Sequence, residues 1–189
     1  MAEPALAIPL TTREEYFALE QETDLRHEFA DGVAYAMVGG TGTHNLISMN
    51  LAAAFHAATR GGPCEVFQQG MKLRIAHNEA ESFFYPDVMI CCDPSDRPAD
   101  GDLWRERPTL LAEVLSPSTE RNDKAEKLIR YQTIPSLDTY LIVHSIRSEC
   151  WLHTRSAGWR RQIFDLNEPL ALPGFDLTLT FETLYDGVF

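Results

Sequence analysis

The chain has 189 residues, 44% of them hydrophobic and 23% charged, which suits one soluble globular domain with a sizeable core spanning the chain, about residues 12 to 185. No apolar run nears the roughly 20 residues of a membrane span. Met1 to Leu10 lacks the basic start of a signal peptide, so the cytoplasm is the expected compartment and no membrane partner is expected. The net charge of −12 weighs against a strong, uniformly basic nucleic-acid binder. It leaves room for local basic surface at Arg121, Lys124, Lys127 and Arg130, and at Arg147, Arg155, Arg160 and Arg161, although the second group reads equally well as a solvated face.

Thr11 or Thr12 is placed to cap a short helix through Glu14, Glu15, Tyr16 and Leu19. Two extended runs follow, Arg26 to Ala30 and Val33 to Val38, and Asp31-Gly32 between them is a hairpin signal. After Gly39-Gly40-Thr41-Gly42, a helix is predicted from Thr43 to Thr59, with Leu46, Ile47, Leu51, Ala54 and Phe55 at helical spacing. The runs Cys64 to Ile75 and Ser82 to Cys92 read as strands, and the polar stretch Asp93 to Arg107 as a loop. Thr109 to Leu115 reads as a buried strand. A helix capped by Ser118 or Thr119 is predicted to reach about Thr133. Thr139 to His144 is a further strand, Cys150 to His153 with Arg160 to Phe164 a closing hairpin, and Phe181 to Tyr185 a short helix. The apolar end from Leu177 to Phe189 either closes the core or forms a contact surface. The order predicts an α/β fold with a mixed central sheet and helices on its faces. Cys64, Cys91, Cys92 and Cys150 form no CxxC pair and read as small buried hydrophobes rather than as zinc ligands or disulfides.

Three features carry chemistry. In Tyr85-Pro86-Asp87-Val88 a carboxylate precedes an apolar strand behind a proline that has no N–H for a ladder. In Leu111-Ala112-Glu113-Val114-Leu115 a glutamate interrupts a buried strand, where a charge is costly unless it is paired or metal-bound. Asp123, Lys127 and Tyr131 are spaced by four along one helix face, with Ala125, Leu128, Ile129 and Gln132 expected on the face against the sheet. Two carboxylates and an amine suit Mg²⁺-assisted phosphodiester hydrolysis. The ion prefers hard oxygens, acidifies water and offsets phosphate charge, while a lysine orients the attacking water or stabilises the phosphate. The Val114 carbonyl is a further oxygen ligand in this reading. The bland alternative has Asp87 capping a turn, Glu113 pairing with an arginine, and Lys127 as a solvated charge. His44 reads mainly as a helix-start hydrogen-bonding residue, with a phosphate nearby as the alternative. The glycine stretch before it lacks the lysine of a P-loop. Gln68 and Gln69 lie on a strand that faces the cleft in one of its two orientations.

The ordered set Pro86-Asp87-Val88, Pro108, Glu113-Val114-Leu115-Ser116-Pro117-Ser118-Thr119, Asp123, Lys127 and Tyr131 resembles the Uma2 family, formerly domain of unknown function 820, of the PD-(D/E)xK nuclease superfamily. Ile134-Pro135-Ser136-Leu137-Asp138-Thr139-Tyr140, Glu28 before Asp31-Gly32, and His44 extend the resemblance over about residues 12 to 185. It implies a restriction-endonuclease-like core and Mg²⁺ or Mn²⁺ as cofactor. Asp87 and Glu113 would be metal ligands, Glu28 a further acidic residue and DNA the substrate, cut by a homodimer. The superfamily's plain motif wants a lysine where this chain has Leu115. The resemblance points instead to Lys127 on the following helix as the amine. A nuclease-fold binding or accessory module without turnover is the competing reading, and a purely structural oligomerising domain the third.

Overall fold

Thr12 starts the first helix. Its hydroxyl accepts from the Glu15 N–H at 3.1 Å, and the Glu15 carboxylate accepts from the Thr12 N–H at 3.0 Å, so two helix-end donors are satisfied reciprocally. This helix is α1 (Arg13–Glu22). The hairpin falls where the Asp-Gly pair puts it, between β2 (His27–Ala30) and β3 (Val33–Ala36). Asp31 and Gly32 take φ of 51° and 75°, the left-handed region that a tight hairpin turn needs and that Asp and Gly tolerate best. The computed structural model describes residues 7–10, 12–37, 39–77, 80–97, 101, 103–115, 126–165 and 168–188.

Fourteen strands are present among the described residues, twelve of them in two sheets of six. One sheet orders β1 (Ala7–Pro9), β3, β2, β6 (Ala80–Phe84), β5 (Lys72–His77) and β8 (Trp104–Arg105). The other orders β12 (Gln162–Asp165), β11 (Glu149–Thr154), β10 (Thr139–His144), β9 (Pro108–Leu115), β7 (Val88–Cys91) and β4 (Glu65–Gln68). In the second, β9 and β10 run parallel and the other neighbours antiparallel, so it is the mixed central sheet expected from the sequence. The two long strands expected at Cys64 to Ile75 and Ser82 to Cys92 are each broken in two. β4 and β7 lie in the central sheet while β5 and β6 lie in the other. The chain changes sheet at Gln69-Gly70 and at Tyr85-Pro86-Asp87. Pro86 has no N–H to continue a ladder.

Alternation along the strands sorts side chains between layers. On one face of the central sheet, Val88, Ile90, Leu110, Ala112, Val114, Leu141 and Val143 pack with Ile47, Leu51 and Phe55 of α2 (Gly42–Thr59) and Leu184 of α4 (Phe181–Leu184). On the other, Met89, Leu111, Leu115, Tyr140 and Ile142 meet Leu73, Ile75 and Phe84 of the first sheet, with Tyr131 of α3 (Leu128–Tyr131). The far side of the first sheet carries Tyr16 of α1 against Phe29, Ala34 and Phe83. The C-terminal apolar segment belongs to the core through Leu179, Leu184 and Tyr185. The remaining strands, β13 (Leu170–Ala171) and β14 (Thr178–Leu179), form a small pair of their own.

Three expectations are corrected. Leu46 is 40% exposed, and Ser48 occupies the buried face of α2 in its place. In the α3 segment Leu128 packs on the core as expected, but Lys127 and Tyr131 are buried too and Ile129 is 62% exposed. Cys64 and Cys92 form a disulfide across β4 and β7, because the register that pairs Glu65 with Cys91 sets them opposite each other. Cys91 and Cys150 are buried free thiols, as expected. The predicted helix caps Ser118 and Thr119, together with Asp123, Arg121 and Lys124, lie outside the described residues.

Candidate active site

The site residues gather where the chain crosses between sheets. Continuing the β7–β9 register one step beyond Val88 opposite Ala112 sets Asp87 opposite Glu113. Asp87, Glu113 and Lys127 are only 8%, 4% and 7% exposed. Buried ionisable groups need compensating partners, and each carboxylate finds a different set.

Asp87 is held from the α2 side. Its Oδ2 accepts from the Val114 N–H at 2.7 Å and lies 3.1 Å from His44 Nε2, and its Oδ1 accepts from the Gln69 amide at 3.0 Å. Gln69 also donates to Ser48 Oγ at 3.3 Å. His44 stands in the first turn of α2, whose N-cap Thr41 accepts from the His44 N–H at 3.2 Å. Gly40 makes room for the imidazole, since a Cβ there would lie 2.8 Å from His44 Nδ1. The glycine stretch therefore seats a histidine.

Glu113 is held from the α3 side. Its Oε1 lies 3.2 Å from Lys127 Nζ and accepts from the Tyr131 hydroxyl at 2.9 Å. Lys127 Nζ is also 2.9 Å from Glu28 Oε1, so one ammonium bridges two carboxylates. The Phe84 ring lies 5.8 Å from the same ammonium. Burial first, then the Glu113 charge, pushes the Tyr131 phenol well above its ordinary range. Tyr131 therefore stays protonated and acts as a donor that fixes Glu113.

The structure thus joins Glu113, Lys127 and Glu28 in one ion network and ties Asp87 to the backbone of Val114, the residue after Glu113. Among the described residues, no group of three or more His, Cys, Asp or Glu side chains is arranged to hold a metal ion. Mg²⁺ does not need such a cage, because it usually takes one or two protein carboxylates and keeps several waters. Two carboxylates with adjacent backbone oxygen fit that donor set.

The model of the Uma2 family, described as "Putative restriction endonuclease", matches residues 13–182. The chain belongs to the Uma2 family. One uncharacterized protein of Synechocystis sp. is 33% identical over 187 residues, covering 98% of this chain and 96% of the relative. A second from the same organism is 34% identical over 134 residues, covering 71% and 75%. A crystal structure from Anabaena variabilis, described as a "putative nuclease belonging to DUF820", matches with a TM-score of 0.72 at 13% identity, covering 88% of this chain and 93% of that one. This likeness shows the fold to be restriction-endonuclease-like, and the family match indicates a nuclease of that kind.

In this Uma2 chain the site is also tied to α1. Glu20 accepts from the Tyr85 hydroxyl at 2.5 Å and the His27 N–H at 2.8 Å, and lies 3.1 Å from Lys72 Nζ. Burial opposes ionisation of Glu20, but these hydrogen bonds outweigh it and hold its carboxyl below the ordinary range. The Tyr85 N–H in turn donates to Glu28 Oε1 at 3.3 Å. Sequence reasoning missed Glu20 altogether and did not favour Gln69. For Gln69 the available signal was its position before Gly70, at the break in a strand that reads as continuous. For Glu20 there was none, because a glutamate in an acidic helix carries no mark of burial.

Proposed function

We propose that this Uma2 protein is a divalent-metal-dependent DNA endonuclease, with Asp87 and Glu113 as the carboxylates that hold Mg²⁺ or Mn²⁺. The observation that carries the reading is the opposition of two buried carboxylates on β7 and β9, with the Lys127 ammonium beside Glu113. In a protein of net charge −12, burying further acid at one strand end is unfavourable unless a cation belongs there. Asp87, Glu113 and the Val114 carbonyl would hold the ion. When bound, it supplies Lewis acidity toward water and the phosphate.

The remaining roles belong to the chain's own groups. Lys127 Nζ places positive charge and N–H donors beside Glu113, where they orient the attacking water and offset charge developing on the phosphate. Glu28 pairs with the same ammonium. Tyr131 and Lys127 together fix Glu113 Oε1. Gln69 and His44 fix the Asp87 carboxylate.

Supercoiled plasmid incubated with the protein and Mg²⁺ or Mn²⁺ is expected to be nicked. Asp87→Ala and Glu113→Ala should each lower the rate at least a hundredfold. Nicking that persists at the parent rate in both variants overturns the assignment. A non-catalytic nuclease-fold module is the second reading, favoured by the way Lys127 already neutralises Glu28 and Glu113. It predicts a folded protein that nicks no plasmid with either ion.

A further inference from the structure

A cleft of about 390 Å³ opens beside the site, walled by Arg26, Lys72, Tyr85 and Gly70, with Leu25 and Leu103 on its rim. None of these residues is needed for the chemistry described above. We infer that this cleft takes the phosphodiester strand flanking the scissile bond, with Arg26 as its phosphate contact. The inference rests on the nuclease reading and extends it to how the substrate is held.

The cleft and the site share one residue. Arg26 Nη1 donates to the Gln69 carbonyl at 2.9 Å, and the amide of that same Gln69 donates to Asp87 at 3.0 Å. A strand whose phosphate reaches Asp87 therefore has its next phosphates within range of Arg26. The cations along the wall differ in availability. Lys72 is paired with Glu20 at 3.1 Å and lies 5.1 Å from the centre of the Tyr85 ring. Arg26 is exposed, lies 5.6 Å from the centre of the same ring, and forms no ion pair among the described residues. Asp24 also lines the cleft. Stacking and one backbone hydrogen bond orient the Arg26 guanidinium and leave further N–H donors for a phosphate fork.

The rim argues for a strand rather than a free anion. Leu25 and Leu103 are 56% and 52% exposed. Large apolar side chains beside a cation offer a splayed base a surface that inorganic phosphate has no use for. In a chain of net charge −12, a single oriented arginine beside the site gives an incoming strand a local positive contact.

The test is binding of a fluorescein-labelled 20-base duplex, read by anisotropy in EDTA over a series of salt concentrations, so that cleavage does not enter. Arg26→Gln is expected to weaken binding at least threefold and to lower the slope of log K against log salt by about one, the share of one phosphate contact. Arg26→Lys should restore the slope, since the slope counts charge. Arg60→Gln, at the end of α2 away from the cleft, should leave both readings at the parent values. If Arg26→Gln binds like the parent while the parent still nicks plasmid, the cleft inference falls and the nuclease reading stands. If inorganic phosphate binds the parent but not Arg26→Gln in a calorimeter, while the duplex affinity and salt slope of Arg26→Gln match the parent, the cleft is only an anion site and the inference is overturned. A parent that neither binds nor nicks DNA removes both.

Discussion

Asp87 and Glu113 stand opposite each other on adjacent strands, yet the protein compensates their charges by different means. Asp87 receives a backbone N–H, a side-chain amide and a histidine. Glu113 receives a lysine that it shares with Glu28, and a phenol that keeps its proton. The first pocket is built on α2 and the second on α3. The difference teaches that one carboxylate is fixed in place largely by dipoles, while the other sits in a small ion network whose members depend on one another. Dipolar fixing leaves the negative charge of Asp87 largely intact. The network holds a buried cation, Lys127, between two acids.

The strongest way to break this comparison is to remove Lys127. Lys127→Met removes the ammonium that Glu113 and Glu28 share. Loss of one partner of a buried ion pair typically costs about 3–5 kcal/mol, so urea denaturation should show a loss of that order, together with loss of nicking. Gln69→Ala deletes one of several donors to Asp87 and should cost only about 1–2 kcal/mol. If Gln69→Ala proves the more damaging of the two, the contrast between dipolar and ionic fixing is wrong. The smallest effect is expected at Glu20, which reaches the Glu28 end of the ion network through Tyr85. Its carboxyl is held below the ordinary value of 4.5 in the folded protein. It therefore contributes stability that is present above that value and lost as pH falls through the lower folded value. The parent should exceed Glu20→Gln in stability at pH 7, and the gap should close on acidification below about pH 4.5. A gap that is constant across that range assigns Glu20 a purely packing role.

Local chemistry made much of the fold legible. The capping box at Thr12, the Asp31-Gly32 turn, and the apolar runs that become β9 and β10 are each decided by a few neighbouring residues. The change of sheet at Gln69-Gly70 and Tyr85-Pro86-Asp87 is decided by what the two halves pack against, so each pair of strands read as one. The α3 face shows the same limit. Spacing of four told that Lys127 and Tyr131 share a side, but not that this side is buried. A charge normally faces water, and only the two acids waiting across the layer reverse that preference. Cys64 and Cys92 are 28 residues apart, and only the β4–β7 register makes them opposed. Within the site, Asp87, Glu113 and Lys127 were visible because a charge in an apolar run demands a partner. The partners Gln69 and Glu20 look ordinary in sequence.

The central claim, that Asp87 and Glu113 together hold one divalent cation, is tested most directly by titrating Mn²⁺ into the protein in a calorimeter without DNA. The account predicts one site in the parent, weakened at least tenfold in both Asp87→Asn and Glu113→Gln. Binding in the two variants that matches the parent would contradict it.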